Sequence, residues 1–124
     1  MRANLHVVKL LMFRYARYGK EHEADAIETL NTILAKNGVS VEECGLFVDP
    51  KKGYLAGTPD GTVGKDALVE VKCPMKCTEH SIEDLAKTDS TFCLEYNTER
   101  NTMELKKSHN YYYQIQGQLH VARR

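Results

Sequence analysis

The five residues Leu68-Val-Glu-Val-Lys72 constrain this chain more than any other stretch. Side chains alternate along a strand, so Leu68, Glu70 and Lys72 share one face while Val69 and Val71 share the other. Charged groups leave water only when paired or bound to metal, so an acid and a lysine set into an apolar strand call for a partner. Upstream, Thr58-Pro-Asp-Gly61 has turn chemistry and carries a second acid, Asp60. If Asp60 and Glu70 converge, the two carboxylates repel unless one is protonated or a cation lies between them. Oxygen ligands of this kind suit Mg²⁺ or Mn²⁺ better than zinc, and the backbone carbonyl of Val71 is a further candidate oxygen. Lys72, on the face of Glu70, would stand by the attacking water and offset charge on a phosphate. Together these parts describe a phosphodiester hydrolase. The bland alternative is a Pro-Asp-Gly turn followed by an edge strand whose Glu70 and Lys72 simply face water.

A chain of 124 residues makes one small domain or part of a larger one, and 42% hydrophobic with 27% charged residues is ordinary for a folded protein. Seventeen basic and seventeen acidic side chains cancel, so overall charge argues neither for nucleic acid nor for a membrane surface. No apolar run approaches the ~20 residues needed to span a bilayer. Residues 7–13 are too short for that and are interrupted by Lys9. No export signal is recognisable, so an intracellular location, cytoplasm or nucleus, is expected. The four cysteines, Cys44, Cys73, Cys77 and Cys93, are then expected as free thiols. Cys73, Cys77 and His80 form a loose partial zinc set with no matching second pair, and ordinary half-buried cysteines are the preferred reading.

Along the chain, Leu5, Val8, Leu11, Met12 and Tyr15 recur at helical spacing and predict a helix over Asn4–Tyr18, with Arg14 and Arg17 off its apolar stripe. A second helix is predicted over Lys20–Lys36, with Ala24, Ile27, Leu30, Ile33 and Leu34 as its stripe and Asn37-Gly38 as its stop. Glu23, near its start, reads by itself as a solvated glutamate favoured by the helix dipole. A strand is predicted over Glu42–Val48, returning through the turn Asp49–Gly53 into Tyr54-Leu55-Ala56. With Leu68–Lys72 this makes a β-meander of three strands. Ser81 is placed to cap a short helix through Leu85, and Phe92–Tyr96 with Met103–Leu105 to form a hairpin. Ser108 is placed as the cap of a last helix, His109–Val121, with Tyr112, Ile115 and Leu119 on one side and Tyr111, Gln114 and Gln118 on an adjacent one.

Four ordered blocks resemble one family. Gly57-Thr-Pro-Asp-Gly61 with Leu68-Val-Glu-Val-Lys-Cys-Pro74 is similar to the core of the YqaJ-like viral recombinases, the family of the phage lambda exonuclease within the PD-(D/E)xK nucleases. Gly19-Lys-Glu-His-Glu23 with Ala26 resembles that family's helical Gly-x-x-x-Glu-x-x-Ala signature. Residues 43–50 with Tyr54-Leu-Ala56 resemble the strand pair before the Pro-Asp, and residues 109–118 its Tyr-rich Gln-x-Gln helix.

The resemblance implies an α/β (α+β) restriction-endonuclease-like core, a mixed β-sheet flanked by helices. It implies that Asp60 and Glu70, with the Val71 carbonyl, hold a divalent metal, and that Glu23 binds a second ion or holds the water. Lys72 would position or activate the water, and Gln114 would support the nucleophile or Lys72. Arg14, Arg17 and Lys20 are candidates for DNA phosphates. The implied activity is Mg²⁺- or Mn²⁺-dependent exonucleolytic hydrolysis of DNA, 5′→3′ from duplex ends, in recombination or repair, with two ions. The implied partners are DNA, a single-strand annealing protein and further copies of the chain, since some members are trimers. The family's domain continues past the Gln-x-Gln helix, so residues 1–124 are expected to be a single domain incomplete at its C-terminus. The rivals are a related endonuclease and a truncated or degenerate domain that only binds DNA or protein.

Overall fold

The segment Ala67–Lys72 is the middle strand of a three-stranded sheet, and two helices close over its two faces. The computed structural model describes residues 8–12 and 19–124. In chain order these form β1 (Val8–Met12), α1 (Gly19–Leu34), β2 (Phe47–Val48), β3 (Ala56–Gly57), β4 (Gly61–Val63) and β5 (Ala67–Lys72). There follow α2 (Ile82–Thr88), β6 (Leu94–Asn97), β7 (Thr102–Leu105) and α3 (Asn110–Ala122). The architecture is mixed α and β.

The central sheet has the order β1-β5-β4. β1 runs parallel to β5, from Val8 opposite Leu68 to Met12 opposite Lys72, while β4 runs antiparallel, Gly61 opposite Val69. Glu42 extends the sheet by one bridge, exchanging backbone hydrogen bonds with Thr62 at 2.8 and 2.9 Å. The expected alternation along β5 decides the core. Leu68 packs on Ile115, Leu119 and Ala122 of α3, and Val69 on Leu30 and Leu34 of α1. A third cluster joins α2 to the β6–β7 hairpin through Leu85, Phe92, Cys93 and Cys77, with Tyr111 of α3 packed on it, and meets the α3 cluster through Leu105.

Several expectations change. The helix expected over Asn4–Tyr18 is contradicted at Val8–Met12, which is a strand. The rest of that segment lies outside the described residues. A short apolar run satisfies helical and strand periods alike, and pairing with β5 selects the strand. The meander is not continuous: β2 and β3 pair only with each other, and the unforeseen β4 is the neighbour of β5. The strand expected over Glu42–Val48 contracts to Phe47–Val48 and the Glu42 bridge. On α1 the buried stripe is Ala26, Leu30 and Leu34, and Ile33 is 54% exposed, so the helix is rotated from the expected face. Helix α3 is capped by His109, whose side chain accepts from the Tyr111 N–H, and not by Ser108.

Other expectations are met. Gly38, at φ 67°, closes the turn of 3₁₀ helix that follows α1. Ser81 caps α2 by accepting from the Asp84 N–H. β6 and β7 pair as a hairpin.

Candidate active site

The Pro-Asp turn delivers Asp60 to β5 through an irregular pairing. The Asp60 N–H donates to the Val69 carbonyl at 3.0 Å although Gly61 is the residue opposite Val69, so two residues face one, as in a bulge. That turns the Asp60 side chain along β5, where its Oδ2 accepts from the Val71 N–H at 2.6 Å. N–H and C=O of one strand residue point to the same edge. The Val71 carbonyl therefore lies on the edge that Asp60 approaches, beyond the last β4–β5 pair. Gly61 is required by crowding. A Cβ there would stand 2.4 Å from Val41 Cγ1 and 3.2 Å from the Glu42 carbonyl oxygen.

Glu70 is 5% exposed, which rules out the bland reading of a water-facing carboxylate. Its Oε1 accepts from Lys72 Nζ at 2.8 Å and Gln114 Nε2 at 2.7 Å, and its Oε2 accepts from Gln118 Nε2 at 3.0 Å. Lys72 Nζ also donates to Gln114 Oε1 at 2.9 Å and sits 4.7 Å from the centroid of the Tyr111 ring. Residues 111, 114 and 118 lie on one stripe of α3, since positions three and four apart are neighbours on a helix. That stripe faces Glu70 and Lys72.

On the opposite face, Glu23 of α1 shares a hydrogen bond with Asp60. It belongs to the inward stripe that continues through Ala26 and Leu30. Burial raises the Asp60 pKa above the ordinary carboxylate value. The Val71 N–H works against that rise, and the charge of Glu70 adds to it. The nearby Cys73 thiol is raised as well, by burial first and then by the charges of Glu23 and Asp60.

The fold thus brings together Glu23, Asp60, Glu70, Lys72 and Gln114, five residues separated by up to 91 positions in sequence. Gln118, buried against Glu70, is a member of the same cluster that the sequence reading left unassigned. Its spacing of four from Gln114 was the available signal. Arg14 and Arg17 lie outside the described residues, as does the side chain of Lys20.

Among the described residues no three His, Cys, Asp or Glu side chains form a ready cage for a metal ion. Cys77 is buried in the α2 cluster and His80 is exposed, and the four cysteines are free thiols. The donor set nevertheless fits a hard divalent cation. Magnesium sites use one or two carboxylates with water and substrate phosphate rather than a protein cage. Asp60, Glu70 and the Val71 carbonyl supply such oxygens, and the Asp60 pKa is raised first by burial and then by the charge of Glu70, both of which a bound cation would offset. No helix among the described residues is long and apolar enough to cross a membrane.

The model of one protein family, the YqaJ-like viral recombinase domain, matches residues 13–124. No curated protein and no solved structure matches the chain.

Proposed function

Because the chain belongs to the YqaJ-like viral recombinase domain family, we propose that it is a metal-dependent deoxyribonuclease. In this reading it hydrolyses phosphodiester bonds exonucleolytically, 5′→3′ from duplex ends, in recombination or repair. It uses Mg²⁺ or Mn²⁺, two ions in all, on a PD-(D/E)xK site within a restriction-endonuclease-like core. Asp60, Glu70 and the Val71 carbonyl would hold the first ion and Glu23 the second. A single-strand annealing protein, acting on the strand left behind, is the partner this role calls for, and further copies of the chain are proposed as in trimeric members.

The observation that carries the proposal is the buried Glu70 held by Lys72, Gln114 and Gln118, with Asp60 turned onto the adjacent backbone. When bound, a divalent cation supplies Lewis-acid stabilisation of charge on the phosphate and lowers the pKa of water. The chain's own residues do the rest. Gln114 Oε1 accepts a hydrogen bond from Lys72 Nζ and Gln114 Nε2 donates one to Glu70, which fixes the ammonium in direction. The Tyr111 ring covers the ammonium, and such contacts hold a cation without neutralising it. These contacts support a role for Lys72 in orienting a water and offsetting phosphate charge. Gln118 anchors the second oxygen of Glu70, so the carboxylate keeps its orientation when Lys72 engages substrate.

Changing Asp60 to Ala is expected to abolish Mg²⁺-dependent digestion of 5′-phosphorylated linear duplex DNA, as chelation of the metal would. A variant as active as the parent refutes the assignment. Closed circular DNA separates the rival endonuclease, since an exonuclease leaves circles intact. A parent protein that binds DNA and digests none of these substrates is the binding module instead.

A further inference from the structure

Beside the carboxylate cluster, a groove of about 460 Å³ runs between β3 and α3. Gln114 and Gln118, the residues that hold Glu70, line one end, and His120 lines the other. Beyond His120 stands a knot of charge. Asp49 accepts from the backbone N–H groups of Lys51 and Lys52 at 2.7 and 3.0 Å, and pairs with His120 and Arg123 at 2.7 and 3.5 Å. Lys51 and Lys52 satisfy Asp49 with their main chain, so their exposed ammonium groups have no hydrogen-bond or ion-pair partner among the described residues. Arg123 is the one permanent cation paired with the buried Asp49 among the described residues, and the chain segment that clamps Asp49 carries two further exposed lysines, Lys51 and Lys52, beside the His120 end of the groove.

Two features of α3 point to an occupant. Gly117 lines the groove in the interior of the helix, where glycine is unfavourable. Among the described residues, nothing comes within 4 Å of where a Cβ there would stand. Tyr113, 66% exposed, presents its ring at the same groove. A basic track with an aromatic platform is the chemistry that holds single-stranded nucleic acid. Positions 114 to 123 on α3 span about 14 Å at 1.5 Å per residue, a length that takes more than one nucleotide of a strand.

Resting on the nuclease reading above, we propose that this groove is the path of the unpaired DNA strand next to the scissile phosphate. The backbone approaches α3 at Gly117, a base stacks on Tyr113, and the phosphates beyond lie on Lys51 and Lys52.

The test uses the intact chain with a fluorescently labelled single-stranded oligodeoxynucleotide of twenty nucleotides, with chelator present so that nothing is cut. Affinity is measured between 50 and 200 mM salt. The double change Lys51→Ala/Lys52→Ala leaves the Asp49 clamp intact. It is expected to weaken binding about tenfold at low salt and to reduce the salt slope by about 1.4, or ~0.7 for each lost phosphate contact. Gly117→Leu replaces glycine with a good helix former, so its melting temperature is expected to match or exceed the parent's while strand binding falls. Binding by both variants with the parent's affinity and slope overturns the inference. If the parent digests DNA in Mg²⁺ while both variants bind unchanged, the track is wrong and the nuclease reading stands. If the parent digests nothing but the variants lose binding as expected, the nuclease reading fails and the track stands.

Discussion

Asp60 is positioned by the same burial that works against its charge. Its carboxylate accepts from the Val71 N–H, yet desolvation and the neighbouring Glu70 push its pKa up. A carboxyl group whose pKa is higher folded than unfolded costs stability as pH rises from the unfolded value through the folded one. Well below the ordinary aspartate pKa the group is protonated in both states and the penalty is absent. Asp60→Asn keeps an acceptor for the Val71 N–H and removes the charge. The metal-free variant is therefore expected to melt above the parent at pH 7, with the difference vanishing near pH 3. Thermal unfolding across pH checks this, and an unchanged or lower melting temperature at pH 7 counts against a strained carboxylate. Adding Mg²⁺ should raise the parent's melting temperature and leave that of the variant where it was, because ligand binding stabilises only a protein that has the site. Glu23 shows how much context a single residue needs. At the start of a helix it reads as solvated, and only the register of α1 on the sheet turns it toward Asp60.

At the scale of elements, the site depends on two short strands and one helix stripe. β4 has only three residues, and it is held between β5 and the Glu42 bridge with Gly61 at its closest approach to Val41. A methyl group at position 61 would force the stiff, β-branched Val41 out of its rotamer. Gly61→Ala is expected to cost about 1–3 kcal/mol by overpacking, and Val41→Ala in the same chain should recover part of that loss. Denaturant melts of the two single variants and the double variant measure the coupling, and strict additivity would remove the argument. Helices α1, α2 and α3 and the β6–β7 hairpin were legible as elements, while the buried stripe of α1 and the cap of α3 were decided by packing and local backbone geometry. β1 and β4 were not. One is an apolar run too short for its period to be diagnostic, and the other is a Gly-Thr-Val segment with no pattern of its own. Both exist because β5 offers hydrogen bonds on either edge.

For the molecule as a whole, β5 acts as a partition. Leu68 closes the layer toward α3 and Val69 the layer toward α1, so adjacent residues of one strand join both cores. Truncating Leu68 to Ala is expected to cost about 2–5 kcal/mol, read as a lower denaturant midpoint with little change in slope. Ile33→Ala, on the exposed side of α1, should stay within about 0.5 kcal/mol. Equal losses from the two changes would mean that the layers are not arranged as described. The α2–hairpin cluster meets the α3 cluster through Leu105, and Tyr111, packed on the α2–hairpin cluster, also covers Lys72. Core packing and the candidate site thus share a residue, so damage to the α2–hairpin cluster should reach the site.

The sequence by itself determined the two faces of β5, because strand geometry allows side chains only two directions. It also determined the stripe of Tyr111, Gln114 and Gln118, because helical spacing allows no other grouping, and the ordered motifs named the family. Tertiary structure alone decided that Val8–Met12 is a strand, that β4 lies beside β5, and that Asp60 reaches the Val71 N–H. It alone brought Asp49, at the start of the β2–β3 turn, onto His120 and Arg123 at the end of α3. The physical reason is one of range. Alternation and helical period are set by bonds between near neighbours. Which strand pairs with which, and which carboxylates meet, are set by contacts across the fold that no local pattern encodes.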